Sequence, residues 1–200
     1  MGEGHPVLAP SGDLALAGDL LRAAKVGDPE AAAYRDEVLA FIATHADAAH
    51  RSCITGHLTG SALVVDSTAT HTLLMLHRKL GRWFQPGGHA DGDTNLAAVA
   101  LKEASEETGL TGLRVLPVVI DVDVHTVRPP AEQPHLHLDT RFLVMAPPDA
   151  VEEANEESLA LRWVTEAELE ELLPPVDPGT RRLVARGLAA AADILNPPAP

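Results

Sequence analysis

An α/β domain with a mixed or antiparallel sheet, preceded by a helical extension, is the architecture this sequence predicts. Three observations predict it: an Ala- and Leu-rich opening with helical spacing, a change beyond Gly60 to short runs of β type, and one helical stretch, Asn95 to Thr108, set among those runs. At 200 residues, 46% of them hydrophobic, the chain is long enough for one ordinary domain and a small extension, and too short for two full domains.

In the opening segment Leu14, Leu16, Leu20, Leu21 and Ala24 form a helical stripe that stops at Gly27-Asp28-Pro29. A second helix is expected to start after Asp28. An aspartate there accepts the free amides of a first helical turn, and Pro29 has its φ preset for the first helical position. Tyr34, Val38, Phe41 and Ile42 then share one side of that helix. Strands are expected at Ala62 to Val65 and Thr72 to Leu76, followed by the compact segment Gly81-Arg82-Trp83-Phe84-Gln85-Pro86-Gly87-Gly88.

The helix from Asn95 to Thr108 has Asp93 or Thr94 as its N-cap. It ends at Gly109, a residue that adopts the left-handed conformation closing many helices. Leu113 to Val124 and Leu136 to Met145 read as further strands around a loop containing Pro129, Pro130 and Pro134. Glu166 to Leu173 and Arg181 to Leu195 read as helical, on either side of Pro174-Pro175, with a Pro-rich tail from Asn196 to Pro200. The expected division is a helical extension over residues 1–55 and a core domain with its C-terminal helix over residues 56–200.

The formal charge of -14, from 29 acidic against 15 basic residues, opposes non-specific binding to nucleic acid or to an anionic membrane. It would repel a phosphate-bearing substrate as well, so a site for such a substrate needs bound cations to reverse the local sign. The lone Cys53 has no disulfide partner, and the N-terminus lacks the basic start and apolar stretch of a signal peptide. No apolar run approaches the roughly 18 to 20 residues that span a bilayer. A protein of the reducing cytoplasm, with no membrane or nucleic-acid partner, is the expectation.

Glu103, Glu106 and Glu107 stand at i, i+3 and i+4, which brings their carboxylates to one helical face with Cβ atoms about 5 to 6 Å apart. Taken alone, such a cluster is as readily a solvated face, because water screens the repulsion. The flanking residues are more specific. Gly88, then Lys102-Glu103-Ala104-Ser105-Glu106-Glu107-Thr108-Gly109-Leu110, keeps the spacing G-x5-E-x7-R-E-U-x-E-E-x-G-U, where U is aliphatic.

That pattern resembles the Nudix box, and the lead-in Trp83-Phe84-Gln85-Pro86-Gly87-Gly88-His89 is similar to that of one Nudix subgroup. Two positions depart from the pattern: Thr94 stands where a glutamate is usual and Lys102 where an arginine is usual. Lysine lacks the planar, bidentate hydrogen bonding of arginine, so the loop–helix geometry is expected to loosen, and Asp93 is a candidate for the missing carboxylate.

The resemblance covers about His57 to Leu173 and implies an α/β/α sandwich with a mixed sheet. It implies metal-dependent hydrolysis of a diphosphate bond in a nucleoside diphosphate linked to another moiety, with Mg²⁺ or Mn²⁺ as cofactor. Both ions take the oxygen ligands that a glutamate helix offers. Gly88, Glu103, Glu106 and Glu107 are the implied metal ligands, the three glutamates are also catalytic, and Glu157, six residues before Trp163, is the implied late acid, with Glu156 as fallback.

A second constellation comes from His135-Leu136-His137-Leu138-Asp139, whose period of two sets three polar side chains on one strand face. With His89, these residues are candidates for an accessory metal (Zn²⁺, Mn²⁺ or Fe²⁺) or a substrate contact in the catalytic cleft, against a plain polar strand face. Trp83 and Phe84 are candidates to stack on a base, or else core residues. Arg82, in a basic cluster with His77, Arg78 and Lys79, is a candidate phosphate contact. Two other classes stay open: a catalytically weak nucleotide-binding sensor, motivated by Thr94 and Lys102, and an isomerase of allylic diphosphates, which needs a well-placed cysteine where only Cys53, ahead of the core strands, is present. The N-terminal helices are a possible homodimer surface.

Overall fold

The computed structural model describes residues 1–197; of the expected tail, 198–200 lie outside the described residues. Helices α1 (Leu14–Ala23) and α2 (Pro29–Thr44) lead into seven strands, with helix α3 (Leu96–Thr108) between the fourth and fifth and α4 (Pro178–Leu195) at the end. The strands are β1 (Gly56–Val65), β2 (Thr72–His77), β3 (Arg82–Phe84), β4 (Gly87–His89), β5 (Arg114–Val127), β6 (His135–Met145) and β7 (Ser158–Val164). Among the described residues no helix is long and apolar enough to cross a membrane.

All seven strands form one mixed sheet in the order β3-β2-β1-β6-β5. The long β1 runs parallel to β6 along its whole length. On its other edge it pairs with β4 through Thr59 to Ser61 and with β2 through Val64 and Val65. Strand β7 pairs with β2. The strands β3, β4 and β7 are not legible as strands in the sequence; β3 and β4 are three residues each and depend on long partners for their pairing.

Alternation assigns two faces to the sheet. Leu58, Ala62, Val64, Leu138 and Phe142 share a core with Leu96, Ala97 and Ala100 of α3, and with Ala17, Leu21 and Val38 of α1 and α2. Their chain neighbours Leu63, Val65 and Leu143 pack on the opposite face against Leu183, Val184 and Leu188 of α4. The result is a sheet between helical layers.

Helix starts follow the chemistry of their caps. Asp28 accepts the amides of Glu30 and Ala31 with Pro29 at the first position, as expected, and Tyr34, Phe41 and Ile42 lean against the core beside Val38. For α3 the expected cap is corrected. Asn95 is the N-cap and its side chain does not bond the first turn. Asp93 instead accepts the amides of Asn95 and Ser11, and the buried Thr94 hydroxyl lies 2.9 Å and 2.8 Å from the carbonyls of Ser11 and Asp13. These residues fasten the N-terminal segment to the head of α3. Gly109 closes the helix at φ 69°. The helix expected over Glu166 to Leu173 shrinks to a 3-10 turn, Ala167–Glu171, because few residues separate Thr165 from the prolines.

Candidate active site and a histidine cluster

Helix α3 carries Glu103, Glu106 and Glu107 along its second half, and the turn spacing aims the first and last at strand β4. Glu107 is buried, 6% exposed, and its Oε2 accepts the Gly87 N–H at 2.9 Å. The Glu103 carboxylate lies against Gly88 so closely that a Cβ built there would come within 2.4 Å of its Cδ. Two adjacent glycines thus each meet one carboxylate, and the second has to be glycine for the carboxylate to fit.

The β4 ladder also decides which carbonyl faces the acids. Ala62 donates to Pro86 and Ala90 donates to Leu58, so by antiparallel alternation Gly88 bonds Gly60, while the N–H and C=O of Gly87 point off the edge. The expected carbonyl of Gly88 is therefore committed to the sheet, and the one free beside Glu107 belongs to Gly87.

Burial pushes the Glu103 carboxyl above its usual range, opposed by Lys102. Burial likewise pushes Glu107 up to about 7; the Gly87 N–H opposes this, and the charges of Glu103, Glu157 and Glu106 add to it. The charge of Glu157, exposed in the loop just before β7, acts on both carboxyls. Its carbonyl accepts the Arg78 N–H, and the Arg78 side chain bonds the carbonyls of Glu156 and Ser158. Arg78 is a clamp on this loop. Glu106 is exposed and, with Glu103, flanks the Lys102 ammonium at 3.4 Å and 3.2 Å. Four carboxylates with one close lysine leave a net anionic site, a donor set of hard oxygens suited to divalent cations.

Other expected site residues separate. Trp83 is a core residue: it packs against Leu169 and Leu172, and its Nε1 donates to the Leu173 carbonyl, so it offers no face to a base. Phe84, half-buried, alternates to the opposite, α3-side face of the sheet, beside Met75. Arg82 is exposed and pairs in register with His77.

His135, His137 and Asp139 do share a strand face, with Leu136 and Leu138 turned into the α3-side core. The trio therefore lies on the far face of the sheet from α3, so the expectation that it joins the glutamates in one cleft is corrected. Asp139 is also corrected as a ligand candidate. Its carboxylate accepts the hydroxyls of Thr59 and Ser61 at 2.9 Å and 2.8 Å and pairs with Arg141 Nε at 2.8 Å. The buried Arg141 guanidinium further meets Asp121 at 3.1 Å and Asp123 at 3.2 Å.

In place of Asp139, His57 of β1 joins the group. Ligand nitrogens of His57, His89 and His137 lie within 4.8 Å of one another, with the His135 ring 4.8 Å from that of His57. Burial and the neighbouring rings hold His137 down at about 2, and burial with Arg51 holds His89 at about 4, so both are neutral imidazoles. The sequence did not single out His57, whose partner His137 stands opposite it only through the β1–β6 register.

Comparison with known proteins agrees with this architecture. No curated protein matches the chain. Among solved structures, a Nudix hydrolase from M. smegmatis, RenU, superimposes with a TM-score of 0.51 at 24% identity, covering 70% of this chain and 88% of that one. A NUDIX-family hydrolase from Clostridium perfringens gives 0.51 at 20%, covering 70% and 98%. A possible asymmetric diadenosine tetraphosphate hydrolase from Jonesia denitrificans gives 0.53 at 15%, covering 67% and 93%. These likenesses show the fold. The NUDIX domain family model matches residues 57–187, the span holding the whole sheet but the first residue of β1, α3 and much of α4, and on that match the chain belongs to the Nudix family.

Proposed function

We propose that this protein hydrolyses a diphosphate bond in a nucleoside diphosphate linked to another moiety, with Mg²⁺ or Mn²⁺ held by Glu103, Glu106, Glu107 and the free carbonyl of Gly87. The observation that carries the reading is the convergence of Glu103 and Glu107 on the paired glycines of β4, with Glu107 buried, anion-crowded and short of positive charge. The lead-in Trp83 to His89 supports placement in the subgroup with that motif.

Divalent ions there would neutralise the phosphates and acidify the attacking water. Glu103 and Glu107 would hold them in fixed places, since α3 and β4 are joined by the Gly87–Glu107 hydrogen bond. Glu106, more exposed, would complete the set through rotamers turned away from Lys102, and Glu157 at the rim would act as ligand or proton acceptor. Phe84, on the α3-side face, is the remaining candidate to contact a base. The net negative charge makes a membrane or nucleic-acid partner unfavourable and agrees with a small-molecule substrate in the cytoplasm. A panel of nucleotide sugars, dinucleoside polyphosphates, ADP-ribose and nucleoside triphosphates, assayed with Mg²⁺ and Mn²⁺ and with products identified, tests the reading. No metal-dependent cleavage of any of them would end it.

A catalytically weak nucleotide-binding version is the second reading. It is favoured by Lys102, whose ammonium occupies the space between Glu103 and Glu106 where a cation would compete. Binding of a nucleotide without turnover in the same panel would select it.

A further inference from the structure

We propose that His57, His89 and His137 form a second metal site, selective for a nitrogen-preferring ion of the Zn²⁺ class, on the sheet face opposite the glutamates. Each ligand comes from a different strand: His57 from β1, His89 from β4 and His137 from β6. The strand pairings bring them together, because His57 stands opposite His137 and His89 stands opposite Thr59, two residues from His57 on the same strand.

The chemistry of the donors selects the ion. Three imidazoles and no carboxylate within the group suit zinc or a late first-row metal, whereas Mg²⁺ and Ca²⁺ take oxygen. Nitrogens about 2.0 to 2.1 Å from a tetrahedral zinc stand about 3.4 Å from one another. The three nitrogens, all within 4.8 Å of one another, would have to draw closer to reach that spacing, by turning of the rings about their side-chain bonds. A fourth position is left for water or a ligand.

Independent support comes from His57. It is 2% exposed, and among the described residues neither of its ring nitrogens makes a well-formed hydrogen bond, the Cys53 backbone alone acting weakly on the ring. A buried polar group left without a partner is costly, and native structures seldom carry one unexplained. One of its nitrogens on a metal would gain a partner, and the Cys53 backbone is the nearby acceptor for the N–H of the other. Around the trio, the carboxylate of Asp123 bonds His125 Nδ1 at 2.9 Å and the His125 ring lies 5.5 Å from that of His137, while the Gln133 carbonyl lies 2.9 Å from His135 Nδ1. Those two bonds use Nδ1 only, so His125 and His135 border the site, and the three ligand nitrogens that group within 4.8 Å of one another belong to His57, His89 and His137. An ion bound there ties β4 to β1 and β6, on the reverse side of the strand whose glycines meet Glu103 and Glu107. The proposal stands on the histidines alone and does not depend on the hydrolase reading.

The test is a Co²⁺ titration of the full chain in excess Mg²⁺, read by the visible absorption of low-coordinate cobalt, followed by displacement with Zn²⁺. Wild type is expected to bind one equivalent, to lose the absorption on adding Zn²⁺, and to gain melting temperature with Zn²⁺. His137→Gln and His89→Gln, at half-buried positions, are expected to weaken binding at least about tenfold while keeping the native circular dichroism. Glu103→Gln and Glu107→Gln are expected to leave the titration unchanged. No absorption in wild type, absorption that survives in His137→Gln, or absorption lost in Glu107→Gln overturns the site.

Discussion

The Gly87 amide donates to the Glu107 carboxylate at 2.9 Å, joining the last helical turn before Gly109 to a short strand that precedes the helix by a loop. This bond favours the ionised carboxylate, but burial outweighs it and holds Glu107 up to about 7. In the unfolded chain a glutamate titrates at about 4.3. Between those values the folded, metal-free protein therefore binds more protons than the unfolded one, and its stability falls as pH rises through that window and levels off above it. The loss amounts to at most about 4 kcal/mol. Urea denaturation of chelator-treated protein at pH about 5 and about 8 measures it, and Glu107→Gln, which keeps an acceptor for Gly87, is expected to flatten the difference. Equal slopes for wild type and variant would remove burial of Glu107 as the cause.

Activity should depend on the same carboxylates. Glu107→Gln and Glu103→Gln remove ligand charge with little change in volume, and turnover is expected to fall at least about a hundredfold, or about 2.7 kcal/mol of transition-state stabilisation. The metal-free melting temperature should hold or rise. Wild-type turnover by Glu107→Gln is incompatible with the proposed chemistry.

Thr94 shows what happens where the box pattern is broken. Its buried hydroxyl hydrogen-bonds at the Ser11 and Asp13 carbonyls, so Thr94→Val, similar in shape, is expected to cost about 1 to 3 kcal/mol and to loosen residues before α1. Thr94→Glu, which restores the usual residue, should destabilise further by burying a charge among carbonyls. Hydrogen exchange over the first 15 or so residues, combined with thermal melts, separates these effects from any change in turnover. A gain in stability for Thr94→Glu would contradict the assignment.

Arg141 is buried against the carboxylates of Asp121, Asp123 and Asp139. Of these three aspartates Arg182 reaches Asp121 and Asp123 and Arg186 reaches Asp121, so among the described residues Asp139 has no other cation. Removing one member of a buried ionic group leaves uncompensated charge, a loss of about 3 to 5 kcal/mol. Arg141→Met is therefore expected to lower stability by about that amount, measured by denaturation at neutral pH, and to recover part of it as the pH falls and the aspartates protonate. An unchanged midpoint would show that the network contributes nothing.

Local chemistry written in consecutive residues was legible in the sequence. The i, i+3, i+4 glutamates, the caps Asp28-Pro29 and Gly109, and the alternation of His135 to Asp139 each follow from one helix or strand period, and each appears as expected. The spacing from Gly88 to Leu110 carried the family, which the match over residues 57–187 shows.

What alternation could not say is which layer covers each face or which residue stands across the sheet. Those facts come from the β1–β6 and β1–β4 registers, which pair residues 26 to 80 positions apart and have no local signature. The registers place Asp139 beside Arg141, Thr59 and Ser61, a full complement that takes it out of any ligand set, and they bring His57 into the place expected for it. They also turn the Gly88 carbonyl into the ladder and leave the Gly87 carbonyl at the edge, because hydrogen bonds in an antiparallel pair point alternately toward and away from the partner. The sequence by itself determined which chemistry the chain carries; the tertiary structure decided which of those groups face one another, since only strand pairing sets that.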